Sequence, residues 1–293
     1  MAKVLITGLD SFTGSHLGRW LSDSGHQVFG TSLKSGDGKR LLQCDLAEAG
    51  DCERVVRQVK PDYVVHLAGI SFVGHEHLDA FYRVNAIGTE YLLQALAQHA
   101  PDIKKVILAS SATVYGNQGL PVLDESLAPQ PANHYGMSKL AMEFTAANFY
   151  GKLPLIITRP FNYTGVGQPE HFLIPKIVAH FKRGEKTVEL GNLHVAREFN
   201  DVRFACDVYA RLLECGSDGL ITNLCSGHAV RLLDIVALMN EIAGYEIEVK
   251  VNPAFVRAND IPSLVGSPER LENTIGRLKT FSIRDTLLEM YRN

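Results

Sequence analysis

The chain has 293 residues, with 46% apolar and 21% charged side chains and a formal net charge of −3. That is a globular composition, long enough to bury a large core without cross-links. The slight acidity argues against binding driven by nucleic-acid phosphates, and no run of about 18 apolar residues offers a membrane span.

Five cysteines, Cys44, Cys52, Cys206, Cys215 and Cys225, are an odd set without Cys-x-x-C or Cys/His ligand spacing. Reduced buried thiols in a cytoplasmic protein are expected. His75 and His77 flank Glu76 but do not form a zinc motif, so no metal site is expected. MAKVLITG runs straight into a strand, with no apolar leader before it.

In chain order, Lys3–Thr7 reads as a strand, followed by a Gly-containing turn and a helix over about Thr13–Ser24. His26–Ser32 and Leu41–Cys44 read as strands, Glu48–Val59 as a helix and Asp62–Leu67 as a fourth strand. Ala80–Ala100 is a long helix, Lys104–Ala109 a strand ending at Ser110-Ser111, Tyr135–Tyr150 a helix and Leu153–Thr158 a strand. This alternation predicts an α/β fold, a Rossmann-type doubly wound parallel sheet. After Pro160 the rhythm changes. A helix at Phe172–Arg183 precedes short strands at Thr187–Leu190 and Glu198–Asn200. Val202–Cys215 (helix) and Leu220–Leu224 (strand) are expected to rejoin the sheet. Arg231–Ala243 and Ile283–Met290 read as helices, with a strand at Glu246–Val251 between them. The expected division is a dinucleotide-binding domain at 1–161, rejoined by 201–225, and a smaller α/β substrate domain from 162–200 and 226–293.

Three places carry candidate cofactor chemistry. Gly8, Ser11, Phe12, Thr13 and Gly14 lie where a strand turns into a helix, so backbone N–H groups and the helix dipole can meet a pyrophosphate. Ser11 stands where a G-x-x-G-x-x-G pattern has its middle glycine. Strand two ends at Thr31-Ser32 without the acid that binds an NAD ribose, and Lys34, Lys39 and Arg40 follow. NADP is therefore expected over NAD, with NAD the alternative. Asp45-Leu46 is placed to meet adenine, and Leu67-Ala68-Gly69 to pass close under the cofactor.

Tyr135 and Lys139 stand four apart on a helix and share a face. A tyrosine ordinarily titrates near ~10. A lysine cation within ~4–6 Å is expected to lower that value and make the phenol a usable acid or base. Alone, Tyr-x-x-x-Lys also fits an ordinary amphipathic helix.

The combination TGLDSFTG, CDL, HLAG, VNAIGT, SSATVYG, HYGMSK and RPFNYTGVGQ resembles the extended branch of the short-chain dehydrogenase/reductase superfamily, over nearly the whole chain. The resemblance implies that Ser111 orients the substrate oxygen, that Tyr135 is the acid/base, and that Lys139 binds nicotinamide ribose. It also implies a nucleotide-activated sugar as substrate. The 4,6-dehydratases of this group carry an acid just after the Ser111 position, where this chain has Ala112 and Thr113. Reductases and C4-epimerases remain. SSATVYG is similar to UDP-galactose 4-epimerases. Segment 160–168 is similar to GDP-4-keto-6-deoxy-mannose reductases, and segments 197–202 and 255–266 to patterns shared by those reductases and GDP-mannose 4,6-dehydratases, with Tyr163, Val166 and Asp260 departing from the patterns. By family position Arg197, Arg257 and Lys176 are candidates for the sugar-nucleotide diphosphate, Asn162 for a phosphate or sugar oxygen, and Asp260 for a ribose hydroxyl. The implied activity is reduction of the C4 keto group of a GDP-4-keto-6-deoxy-hexose, with a C4-epimerase of a UDP- or GDP-sugar as the alternative. The Ala80–Ala100 and Tyr135–Tyr150 helices are expected to form a homodimer interface.

Overall fold

The computed structural model describes residues 1–36, 39–71, 77–256, 261 and 263–293. Strands β1 (Lys3–Thr7), β2 (Gln27–Ser32), β3 (Leu41–Gln43), β4 (Tyr63–His66), β5 (Lys105–Ala109) and β6 (Leu155–Pro160) form one sheet. β7 (Tyr163–Thr164), β8 (Thr187–Leu190), β9 (Ala196–Arg197) and β10 (Asn200–Asp201) lie outside it. β11 (Leu220–Leu224) returns beside β6, giving the order β11-β6-β5-β4-β1-β2-β3, parallel throughout. The order reverses at β1/β4, which opens a crevice at the carboxyl ends of the strands.

The central strands are apolar along their length because helices cover both faces of the sheet. Helices α1 (Phe12–Asp23), α2 (Ala49–Val59), α3 (Leu78–Tyr82), α4 (Gly88–His99) and α5 (His134–Ala147) alternate with the first strands. α6 (Leu173–Lys182) and α7 (Val202–Glu214) follow. On one face Val55, Val56, Leu92, Leu96 and Met142 of α2, α4 and α5 pack on the sheet. On the other, Leu17 and Leu21 of α1 meet Phe204, Val208 and Leu212 of α7.

A separate core gathers Ile177 and Phe181 of α6, Val188 of β8, Ile235 and Met239 of α8 (Leu232–Ala243), and Leu287 of the last helix. Short pairings frame it. β12 (Val230–Arg231) and β14 (Ser263–Leu264) flank β9, and β13 (Glu248–Val251) pairs with β8. Helices α9 (Glu269–Ile275) and α10 (Ile283–Arg292) end the chain.

The structure departs from the sequence expectation at several places, among them the short strands β7, β12 and β14. The predicted Ala80–Ala100 helix is interrupted by a π-helical turn over Arg83–Ile87, between α3 and α4. The side chain of Asn85 lies in that turn and bonds outward, and Thr89 Oγ1 donates to the Asn85 carbonyl at 2.7 Å. The predicted Glu198–Asn200 strand falls largely on the gap between β9 and β10, where Glu198 is buried. It accepts from Ser226 N at 2.7 Å and Gly266 N at 2.8 Å. α9 was not expected; only Leu271 of its seven residues is buried, so its sequence carries little helical periodicity.

Candidate active site

The chain leaves β1 through Gly8, whose φ is +69° and whose added Cβ would stand 3.1 Å from Ala68 Cα. Only glycine suits both demands. Thr7 Oγ1 accepts from Ala68 N at 3.1 Å and meets His66 Nδ1 at 2.7 Å, while His66 Nε2 meets Thr89 Oγ1 at 2.9 Å. Burial, with the Lys139 cation acting the same way, pushes the His66 pKa down to about 3. A neutral imidazole thus ties β1, β4 and α4 together beneath the turn.

Ser11 is the N-cap of α1, and its Oγ accepts from Gly14 N at 3.1 Å. The serine in place of the middle glycine therefore starts the helix. Thr13 Oγ1 bonds Tyr163 OH at 2.9 Å, and the Phe12 ring stacks on Tyr163 and joins the apolar packing. Phe12 and Thr13 can offer a ligand their backbone, since the first N–H groups of a helix have no intrahelical partner. Leu9 N donates to Thr31 O at 3.0 Å, and Ser32 Oγ donates to Asp10 Oδ2 at 2.6 Å. A carboxylate thus stands at the end of β2, where the local sequence offers none. Asp45 Oδ1 accepts from Ala47 N at 2.9 Å, and Leu46 is buried beneath the loop that follows β3. Leu67 packs toward one face of the sheet and Ala68 toward the other.

Ser111 follows β5 and caps a 3-10 turn, Ala112–Tyr115. Its Oγ accepts from Thr113 N at 3.2 Å and from Thr113 Oγ1 at 2.9 Å. Those bonds use its lone pairs, so its own proton is directed elsewhere. The Ser111 hydroxyl stands beside the Tyr135 phenol and favours its ionised form. Asn133 caps α5, accepting from Gly136 N at 2.9 Å, and so sets where Tyr135 and Lys139 begin their shared face.

Lys139 Nζ donates to Ala109 O at 2.7 Å, at the end of β5. Burial lowers its pKa to about 8, against the opposing pull of Glu143 one turn later. The expectation that Lys139 depresses the phenol is corrected here. Tyr135 is held above its ordinary value because desolvation of the phenol disfavours its charged form, with the neighbouring Ser111 hydroxyl opposing. Tyr135 therefore stands as a neutral phenol, an acid rather than a base.

Sequence reading gave no role to three supporting groups, Asn85, Glu143 and Arg159. Asn85 Nδ2 donates to Ile70 O at 3.1 Å and Ser138 Oγ at 3.0 Å, and its Oδ1 accepts from Ile70 N at 2.9 Å. A Cβ on Gly69 would stand 2.7 Å from Asn85 Oδ1 and 3.4 Å from Lys139 Nζ, which places all three together. The VNAIGT segment was its only signal. Glu143 accepts from Ser110 Oγ at 2.5 Å and from Arg159 Nε and Nη2 at 3.0 and 2.7 Å. Both side chains of this ion pair are 5% exposed, and Arg159 lies 4.9 Å over the Tyr115 ring.

The candidate diphosphate residues are spread over the smaller core. Lys176 Nζ donates to Glu189 O at 2.7 Å and lies 4.0 Å over the Phe255 ring. Arg197 Nη1 donates to Ala196 O at 2.8 Å, and Arg197 is in register with Leu264. Asn162 is exposed beyond β6, its carbonyl accepting from Asn200 N at 3.0 Å. Arg257 and Asp260 lie outside the described residues, as do His75 and Glu76. Phe255 lies against Lys176, and Ser263–Leu264 pairs with Ala196–Arg197. Among the described residues Glu198 accepts only backbone and short side-chain donors, and Arg203 pairs with Asp201 at 2.7 Å and Glu289 at 2.9 Å. Among the described residues no group of His, Cys, Asp and Glu could hold a metal, and no helix is long and apolar enough to cross a membrane.

The family model described as GDP-mannose 4,6 dehydratase matches residues 5–290. A GDP-6-deoxy-D-talose 4-dehydrogenase from Aggregatibacter actinomycetemcomitans is 37% identical, over 99% of this chain and 97% of its own. A GDP-6-deoxy-D-mannose reductase from Pseudomonas aeruginosa is 32% identical, over 97% and 94%. The solved structure of RMD from Pseudomonas aeruginosa complexed with NADPH is 29% identical, with a TM-score of 0.85 over 100% and 98% of the two chains. MoeE5 in complex with UDP-glucuronic acid and NAD is 26% identical, with a TM-score of 0.89 over 99% and 98%.

Proposed function

The chain belongs to the GDP-mannose 4,6-dehydratase family of extended short-chain dehydrogenases/reductases, and from that premise we propose that it is an NAD(P)H-dependent 4-ketoreductase of a GDP-4-keto-6-deoxy-hexose. The observation that carries this reading is a Tyr135 phenol held neutral beside Ser111, which caps a turn where Ala112 and Thr113 supply no carboxylate. A dehydratase must move protons at neighbouring sugar carbons and needs an acid there; a ketoreductase does not.

Bound NAD(P)H would supply hydride to the C4 carbonyl carbon. Tyr135 gives its proton to the C4 oxygen, so hydride and proton together turn ketone into alcohol. Ser111 holds that oxygen by a hydrogen bond, and Thr113 fixes the direction of the Ser111 hydroxyl. Lys139 binds nicotinamide ribose and offsets the charge left on the phenolate. The Gly8–Gly14 turn takes the pyrophosphate on the N-terminus of α1, Asp45 and Leu46 meet adenine, and Leu67, Ala68 and Gly69 pass beneath. The close fit of Gly8 and Gly69 to their neighbours supports a cradle kept clear of side chains. The smaller core, from 162–200 and 226–293, is the sugar-nucleotide half. Lys176, Arg197 and Arg257 hold the diphosphate, with Asn162 and Asp260 on the sugar and ribose.

The test is to mix the protein with GDP-4-keto-6-deoxymannose and NADPH or NADH and to follow reduced-nicotinamide absorbance. Stoichiometric oxidation is expected. No oxidation, together with interconversion of UDP-glucose and UDP-galactose, overturns it in favour of a C4-epimerase, the reading that the SSATVYG segment keeps open.

The protein is proposed to work as a homodimer through α4 and α5. Phe144 is 70% exposed, Met137 on the same helix 41%, and Ile87 at the foot of α4 44%. Aromatic and aliphatic groups at that exposure on adjacent helices suit a self-complementary face. Phe144→Arg is expected to shift the sedimenting species from dimer to monomer; a wild type that sediments as monomer refutes the interface.

A further inference from the structure

We propose that Asp10 reads the adenosine ribose, accepting a hydrogen bond from its 2′-hydroxyl, and so makes this protein prefer NAD(H) to NADP(H). The inference rests on the dinucleotide-binding reading above. In a fold of this kind the acid that meets the 2′-hydroxyl ordinarily ends the second strand. Here Ser32 ends β2, and the carboxylate arrives from the turn after β1.

Asp10 is fixed in that place. Leu9 N donates to Thr31 O at 3.0 Å and Gly8 N to Thr31 Oγ1 at 3.2 Å, which binds the turn to β2. Ser32 Oγ then donates to Asp10 Oδ2 at 2.6 Å while accepting from Lys34 N at 3.0 Å. The serine proton is thereby committed to Asp10. A carboxylate accepts about four hydrogen bonds, so one serine leaves it free to take another. The cations that follow β2, Lys34, Lys39 and Arg40, are all exposed. Their attraction for a 2′-phosphate is screened by solvent. Asp10 is exposed as well, but its tie to Ser32 holds its carboxylate at the end of β2, where it would repel that phosphate.

The test is calorimetric titration with NAD+ and with NADP+. Wild type is expected to bind NAD+ more tightly by about tenfold or more. Asp10→Asn keeps an oxygen for Ser32 and removes the charge. It is expected to bring the two affinities together, mainly by tightening NADP+. Tighter binding of NADP+ by wild type, or a ratio unchanged in Asp10→Asn, overturns the assignment and leaves the dinucleotide reading standing. Binding of neither dinucleotide overturns both.

Discussion

Tyr135→Phe is expected to lower turnover by about 10²–10⁴-fold while leaving dinucleotide affinity within a few-fold. The substitution removes one oxygen and its proton and keeps the half-buried ring that packs near Phe81. The loss should fall on kcat, because the proton is transferred only as the C4 oxygen gains charge. The pH profile supplies a second check. Burial raises the phenol above its ordinary value, so the acid form of Tyr135 persists through the neutral range. Lys139 instead is lowered to about 8. Its ammonium is present below that pH and is lost above it. For the free enzyme, kcat/KM in the reducing direction should therefore fall as pH rises through about 8. Undiminished turnover of Tyr135→Phe with the keto sugar would refute the assigned role.

Glu143→Gln is expected to destabilise the protein by about 3–5 kcal/mol, lowering the unfolding midpoint by on the order of 10 °C. Glu143 holds both Arg159 and Ser110 in the interior, and its loss leaves a buried guanidinium without its counter-charge. Arg159 Nη1 is already buried without a hydrogen-bond partner among the described residues, so Arg159 has no second anion to turn to. Arg159→Met should cost a similar amount by stranding the carboxylate. The double variant Glu143→Gln/Arg159→Met should cost less than the two singles together, because neither charge is then left buried without its partner. Thermal unfolding of all four proteins closes the cycle. Strict additivity, or a cost below about 1 kcal/mol for Glu143→Gln, would show that the pair does not act as a unit. Ser110 precedes Ser111 and Lys139 lies one turn before Glu143, so the same variant is expected to weaken catalysis as well.

The elements that carry the site were legible because each is local. The apolar runs of β1, β4 and β5 and the four-residue spacing of Tyr135 and Lys139 are patterns that a short stretch of chain imposes on itself. The absence of an acid at Ala112 and Thr113 was equally plain. The interruption at Asn85 was not, since a π turn depends on what the side chain bonds across the fold, here Ile70 and Ser138.

By itself, then, the sequence determined the order of strands and helices, the turn at Gly8–Gly14, and which side chains can do acid chemistry. Tertiary structure decided which groups meet and in what charge state. Asp10 reaches Ser32 over a separation of 22 residues and Thr13 reaches Tyr163 over 150, contacts that no local pattern encodes. The state of Tyr135 was decided the same way. Spacing alone predicts a phenol made acidic by its lysine. Burial instead raises the phenol, lowers the lysine and turns its ammonium toward Ala109. Desolvation depends on everything packed around a group, and only the folded chain supplies that surrounding.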